Sequence, residues 1–161
     1  MFLQQALVLI RGLCGKPESI SHVYETEPWG FETQEKFLNI AVELRTGLSP
    51  EDLVQTILLI EKKMGRIRKR SKGYTGRTID IDILFYDDLE INIPGLTLPH
   101  LHAHERRFVL QPLCDIAPEF VHPVMRTSIL QLLSDCNDTC VVTKTELLID
   151  LPSSPYLNSR E

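Results

Sequence analysis

No apolar run in this sequence approaches the roughly 18 residues that a helix needs to cross a bilayer, so no membrane span is expected. Cysteine is scarce and scattered, four among 161 residues, at positions 14, 114, 136 and 140. The four make no Cys-x-x-Cys pair, and their spacing suits neither a zinc ribbon nor a disulfide framework. Reduced thiols in a cytoplasmic protein are the expectation. Low-complexity stretches, internal repeats and long linkers are also missing. The start at Met1 has no basic segment and no small-residue cleavage site, so no signal peptide is expected. Positive charge is in deficit, 17 Lys and Arg against 22 Asp and Glu for a net charge of -5, which points away from a nucleic-acid partner.

The length suits one domain with a real core, expected over residues 1–150, with 151–161 as a flexible tail. The spacing of Phe2, Leu3, Ala6, Leu7, Ile10 and Leu13 predicts an opening helix. Ser19–Glu27 and Lys36–Thr46 read as strands, the second with Phe37 and Asn39 on one face and Leu38 and Ile40 on the other. Between them lies a Pro/Gly loop holding Trp29. The next helix is marked at both ends: Ser49 as N-cap, Pro50 at the first position, Glu51 and Asp52 in the first turn, and Gly65 as the stop. Later come a strand at Ile79–Phe85, a short strand at Leu89–Ile93, a loop through His100, helices near 104–116 and 127–136, and a late edge strand around Val141-Val142. The order predicts an α+β fold, with two helices covering one face of a mostly antiparallel sheet.

Charge is distributed unevenly. Arg66, Arg68, Lys69, Arg70, Lys72 and Arg77 crowd into twelve residues of an acidic chain, a patch suited to a polyanion or to a solvated loop. Directly after it, "GRTIDIDILFYDD" places Asp80 and Asp82 on one face of a strand. Side chains at i and i+2 share a face roughly 6.5–7 Å apart at their roots. Two such carboxylates can converge on one hard cation or straddle two, and magnesium favours few carboxylates, several waters and substrate phosphates. The plain alternative is a half-exposed strand with its acids in water. Arg66, Arg68 and Arg77 alongside favour a metal-bound polyphosphate. His100, His102 and His104 alternate, as zinc ligands on a strand would, but a helical pattern begins too close for a clean strand. Arg106 and Arg107 add positive charge nearby or belong to ordinary helix surface. Asn39 offers a donor and an acceptor side by side, suited to the edge of a flat heterocycle, and Phe37, Trp29 or Phe108 could stack on its plane.

The blocks "YETEPWGF", "FLNIAVELRT", "LLIEKKMGRIRK", "GRTIDIDILFYDD" and "LPHLHAHERRFVLQPLCDIAPEF" resemble, in order and spacing, the 6-hydroxymethyl-7,8-dihydropterin pyrophosphokinase family of the folate pathway. The likeness runs from Met1 to about Pro123. It implies a ferredoxin-like two-layer sandwich and a cytoplasmic magnesium-dependent enzyme, acting as a monomer or a homodimer on two small molecules, ATP and the hydroxymethyl pterin. The reaction it implies moves the terminal diphosphate of ATP to the pterin's hydroxymethyl oxygen and releases AMP. By position, Asp80 and Asp82 resemble ligands of two magnesium ions. Arg66, Arg77 and Arg106 resemble phosphate-holding residues, Arg68 and His100 nucleotide contacts, and Glu61 a helix residue near the nucleotide. Tyr74 falls where an aromatic lies near ATP. Thr26, Trp29, Phe37, Asn39 and Phe108 resemble the pterin site, with Phe37 and Phe108 sandwiching the ring and Asn39 reading its edge. The catalytic set implied is Arg66, Arg77, Asp80 and Asp82. The glycine-containing loops at 27–34 and 65–76 are expected to close over the substrates.

Two departures from the family accompany this. The family opens with a strand and a Gly-Ser-Asn turn, both expected to be absent here because Met1 falls at the first helix. Gly76 precedes Arg77 where the family usually has another residue. The competing readings are a catalytically inactive module that keeps pterin or nucleotide affinity, and a metal-dependent hydrolase built on Asp80, Asp82 and the histidines.

Overall fold

A computed structural model describes residues 2–27, 36–65 and 79–152. They form two compact units, neither of them a continuous stretch of chain: Met1–Glu18, Leu44–Ile81 and Ile149–Glu161 in the first, Ser19–Glu43 and Asp82–Leu148 in the second. Among the described residues a helix, four strands, a second helix, two strands, a short 3-10 turn, two more helices and a last strand follow one another, and the fold is α+β. No described helix is long and apolar enough to cross a membrane.

The first unit is a helix pair, α1 (Phe2–Leu13) against α2 (Pro50–Lys63). Its interior is Ala6 and Leu7 from α1 with Leu53, Ile57 and Ile60 from α2. The ends of the expected α1 stripe, Phe2 and Leu13, are exposed instead. The caps of α2 act as their residue types dictate. The Ser49 hydroxyl accepts from the Asp52 amide at 3.1 Å, and Gly65 leaves the helix at φ +89°, a conformation that costs glycine little. Gln4 on α1 holds the returning chain with two hydrogen bonds, its amide donating to the Asp150 carbonyl at 3.0 Å and accepting from the Asp150 N–H at 3.2 Å.

Each of the two strands expected in the first half of the chain is broken into two. The first becomes β1 (Lys16–Ile20) and β2 (Tyr24–Thr26), the second β3 (Phe37–Asn39) and β4 (Val42–Arg45). The break has a chemical cause. Buried Ser21 donates its N–H to the Ala41 carbonyl at 3.0 Å, and its hydroxyl accepts the Ala41 N–H at 2.9 Å while donating to the His22 carbonyl at 2.7 Å. A side chain that takes a ladder amide interrupts the regular pairing. β1 pairs with β4, and β3-β2-β7 form a second, antiparallel sheet with β7 at Val142–Lys144. The late edge strand is therefore present and lies beside β2.

In the second unit α3 (Arg107–Ile116) lies against β2, β3 and β7 and packs on α4 (Ile129–Asp135). Leu110, Leu113, Ile129, Leu132 and Ala41 form the core, flanked by Phe85 and Phe120. One carboxylate fixes the helix on the sheet. Asp115 of α3 accepts the Tyr24 hydroxyl at 2.9 and 3.0 Å, the His22 N–H at 3.1 Å and the His22 ring Nδ1–H at 2.8 Å. Burial and this carboxylate push the Tyr24 phenol above its ordinary pKa. The stretch 94–100, expected as a loop, instead turns at Pro94-Gly95 and returns as β6 (Leu96–Leu98) against β5 (Ile91–Ile93). Gly95 takes φ +84°, as proline followed by glycine allows.

The strand expected at Ile79–Phe85 forms no ladder among the described residues. Its alternation survives in exposure: Ile79 is buried, Ile81 and Ile83 half-buried, Asp80 and Asp82 exposed. The pattern of side chains is local, whereas a ladder needs a neighbour. The four cysteines are free thiols, and burial pushes the Cys14 and Cys114 thiols above the ordinary range.

Gly15 links α1 to β1 at φ +145°, and a Cβ there would lie 2.3 Å from the Arg45 carbonyl oxygen. Gly15→Ala should therefore cost about 2–4 kcal/mol, the range of a backbone clash added to an unfavourable φ. Urea unfolding measures it, and an unchanged midpoint would show that the backbone relaxes there without cost.

Candidate functional site

Antiparallel pairing places the first group of candidates. Thr26 stands opposite Phe37, and Tyr24 opposite Asn39. Residues directly opposite, and residues two apart, share a face, so Tyr24, Thr26, Phe37 and Asn39 all project from one side of β2–β3. This is the side from which Tyr24 reaches Asp115 on α3. The Asn39 amide donates to the Thr26 hydroxyl at 3.1 Å, which fixes the direction of the amide and leaves its oxygen as the acceptor for an incoming edge. Thr26 is buried and Asn39 half-buried, while Phe37 stays 39% exposed and so keeps a ring face open to a ligand. Phe108 lies in the first turn of α3, half-buried, with the Arg106 guanidinium 5.9 Å from its ring centroid.

The two arginines before Phe108 differ in employment. Arg106 is exposed. Arg107 is occupied: its N–H donates to Asp138 Oδ2 at 2.9 Å, its Nε to the Asp138 carbonyl at 2.9 Å and its Nη2 to the Cys136 carbonyl at 3.0 Å. His100 is half-buried. Its N–H donates to the Leu84 carbonyl at 2.9 Å, and its Nδ1 accepts the His102 N–H at 3.3 Å.

The alternating histidines do not act together. His102 is exposed and pairs with Glu105 at 3.2 Å, whereas the His104 ring stands edge-on to His122, centroids 5.8 Å apart. No group of three or more metal-binding side chains occurs among the described residues.

Asp80 belongs to the first unit and Asp82 to the second, and both carboxylates are exposed. Glu61 is 2% exposed. Its Oε1 accepts the N–H of Ile81, the residue between the two aspartates, at 2.9 Å. The structure thus uses this residue to tether the aspartate segment to α2. Trp29, Arg66, Arg68, Tyr74 and Arg77 lie outside the described residues, as do the two glycine-containing loops beyond their first residues, 27 and 65. A groove of about 400 Å3 in the first unit is lined by Gln4, Gln5, Val8, Leu9, Lys63 and Met64, none of them a candidate.

Sequence reasoning missed Asp115, Asp138 and His122. The first two are single acids whose partners lie far away in the chain, so no local pattern marks them. His122 is 3% exposed, and its Nδ1 accepts the Val124 and Met125 amides, each at 3.2 Å.

The family model for 7,8-dihydro-6-hydroxymethylpterin-pyrophosphokinase matches residues 1–118. The chain belongs to this family. It is 42% identical over 123 residues to the 2-amino-4-hydroxy-6-hydroxymethyldihydropteridine pyrophosphokinase of Porphyromonas gingivalis, covering 75% of this chain and 83% of that one. The protein of the same name from Synechocystis sp. is 40% identical over 135 residues, 84% of this chain and 67% of that one. The one from Aquifex aeolicus is 43% identical over 109 residues, 68% of this chain and 67% of that one.

Glu61→Ala removes the acceptor for the Ile81 amide and should cost about 1–3 kcal/mol, the penalty of an unmade buried hydrogen bond. Hydrogen exchange at the Ile81 amide should quicken with it, while Glu61→Gln keeps the oxygen and the protection. Unchanged Ile81 exchange in Glu61→Ala would remove the tether. For His122, burial first and His104 second push the imidazole below its ordinary pKa. The unfolded chain then takes up a proton that the folded one refuses, so stability is full above the unfolded value and falls as pH drops from about 7 towards 5.5. His122→Asn, which keeps an acceptor oxygen, should flatten that decline in urea titrations run across this range; an identical decline would assign it to other groups.

Proposed function

We propose that the chain transfers the terminal diphosphate of ATP to the hydroxymethyl oxygen of 6-hydroxymethyl-7,8-dihydropterin, giving AMP and the pterin diphosphate, a step of folate biosynthesis. The family match over residues 1–118 carries this reading, since a match of that extent takes in every candidate residue. The relatives named above are called pyrophosphokinases.

The pterin is held on the β2–β3 face. Thr26 orients Asn39, the Asn39 oxygen reads the edge of the heterocycle, and Phe37, Phe108 and Trp29 supply ring faces. An ATP site draws on Arg106 and His100 of the second unit, with Arg66, Arg68, Tyr74 and Arg77 assigned from the sequence alone. Guanidinium forks hold phosphate oxygens in fixed positions and meet the charge that spreads over them as the diphosphate leaves.

Magnesium is the metal proposed, held by Asp80 and Asp82. Two exposed carboxylates spaced i, i+2 supply hard oxygen donors, and with no third protein ligand grouped beside them among the described residues the set suits an ion that keeps water and takes substrate phosphate oxygens. Bound there, magnesium would neutralise phosphate charge and help to align the nucleophile with the leaving group.

The test is AMP formation from ATP by the purified chain, with and without the hydroxymethyl pterin, and with magnesium or excess chelator. AMP should form only with pterin and metal both present. Asp82→Ala should lower turnover at least about a hundredfold with its circular dichroism unchanged, the scale of losing one preorganised charge at a reacting phosphate. AMP release that ignores the pterin would overturn the function, and near-normal turnover of Asp82→Ala would overturn the metal assignment.

A further inference from the structure

The matched family segment stops at residue 118, yet ten residues well beyond it contact both the start of α3 and strand β2. At one end of that stretch, Cys136 and Asp138 bind the start of α3. The Asp138 carboxylate accepts the first helical N–H, that of Arg107, on Oδ2 and the Cys140 N–H on Oδ1, each at 2.9 Å. The main-chain carbonyls of Asp138 and Cys136 take the Arg107 guanidinium at 2.9 and 3.0 Å. At the other end, β7 pairs with β2 in the register Thr26 opposite Val142 and Tyr24 opposite Lys144. Thr145 then closes on the Val23 carbonyl with its N–H at 2.9 Å and its hydroxyl at 3.1 Å.

We infer that the Cys136–Thr145 segment is a positioning strap for the heterocycle site, and that the Asp138–Arg107 pair is its decisive contact. The inference rests on the pterin reading above. Thr26 sits on the strand that the strap pairs with, and Phe108 follows the arginine that the strap holds. The strap therefore sets the separation between the polar edge-reader on the sheet and the aromatic ring on the helix. A carboxylate at the first turn of a helix also complements the helix dipole. A shift of the order of 1 Å at the start of α3 moves the Phe108 ring directly, and misplacement of that size costs up to about a hundredfold where a reacting geometry must be held. The Arg106 side chain is long and exposed, so it can follow a moved backbone and still meet a phosphate. Loss of the strap contact should accordingly fall on pterin binding and spare ATP.

The experiment uses the full chain carrying Asp138→Ala, Arg107→Met or both, with Asp138→Asn as a milder variant that keeps one acceptor oxygen, and Phe108→Ala as the reference for the site itself. Melting temperatures and circular dichroism are recorded first, and kinetics are run well below the lowest melt. The expected result is a pterin KM raised at least tenfold by Asp138→Ala and by Arg107→Met, with an intermediate rise for Asp138→Asn. The double variant should raise it at least as far as either single one, because Asp138→Ala removes the acceptor of the Arg107 N–H while Arg107→Met removes the donors to the Asp138 and Cys136 carbonyls. The ATP KM should stay within about twofold, and kcat at saturating pterin within about threefold. A pterin KM within twofold of the unaltered chain in both single variants, while Phe108→Ala raises it tenfold, would overturn the strap. So would parallel loss in both KM values and kcat, the mark of a general structural role. If Phe108→Ala itself leaves the pterin KM unchanged, the pterin-site reading fails, and the strap falls with it.

Discussion

The second unit depends on one carboxylate. Asp115 takes hydrogen bonds from the hydroxyl of Tyr24 and from both the main chain and the ring of His22, so a single helix residue grips a three-residue strand at its start and just before it. A strand that short has few ladder bonds of its own, and its direction is set by what it is tied to. With Tyr24 fixed, the two-residue period sends Thr26 and, across the ladder, Phe37 and Asn39 towards the same side. Which way the candidate ligand-binding face points is thus decided by a contact that touches none of the ligand-binding residues.

How far the fold could be read depended on how local its causes were. The second helix was legible at both ends because Ser49, Pro50 and Gly65 act within one turn of themselves. The turn at Pro94-Gly95 is equally local, but the return of Leu96–Leu98 onto Ile91–Ile93 depends on a pairing that a proline-glycine loop alone does not specify. The broken strands were not legible: Ser21 takes an amide from Ala41, twenty residues on, and nothing near position 21 announces that exchange. At Ile79–Phe85 the alternation of buried and exposed side chains is a property of the segment itself. Its translation into a paired strand assumed a neighbour that the residues themselves do not specify.

The site divides in the same way. Asp80 and Asp82 were visible as an exposed pair because two-residue spacing is a property of the segment alone. Phe37 and Asn39 were visible for the same reason, while Thr26 joined them through the resemblance and is placed by the ladder. Glu61 was visible only through the resemblance, and its bond to the Ile81 amide, made by a carboxylate 2% exposed, is set by a residue twenty positions on. Asp138 stayed hidden because its partner lies 31 residues earlier.

Neighbouring arginines at the head of α3 have a consequence for the electrostatic potential that an approaching polyanion meets. By charge alone Arg106 and Arg107 are equivalent, a doubled cation with a doubled field. In the folded chain the Arg107 guanidinium donates to two carbonyls and its amide to the Asp138 carboxylate, whose negative charge beside it offsets the Arg107 field at a distance. Arg106, exposed beside an aromatic ring, projects its field outward. The helix therefore presents a monopole where the letters promise a pair, and long-range attraction at that corner is weaker and more sharply aimed than residue counting implies.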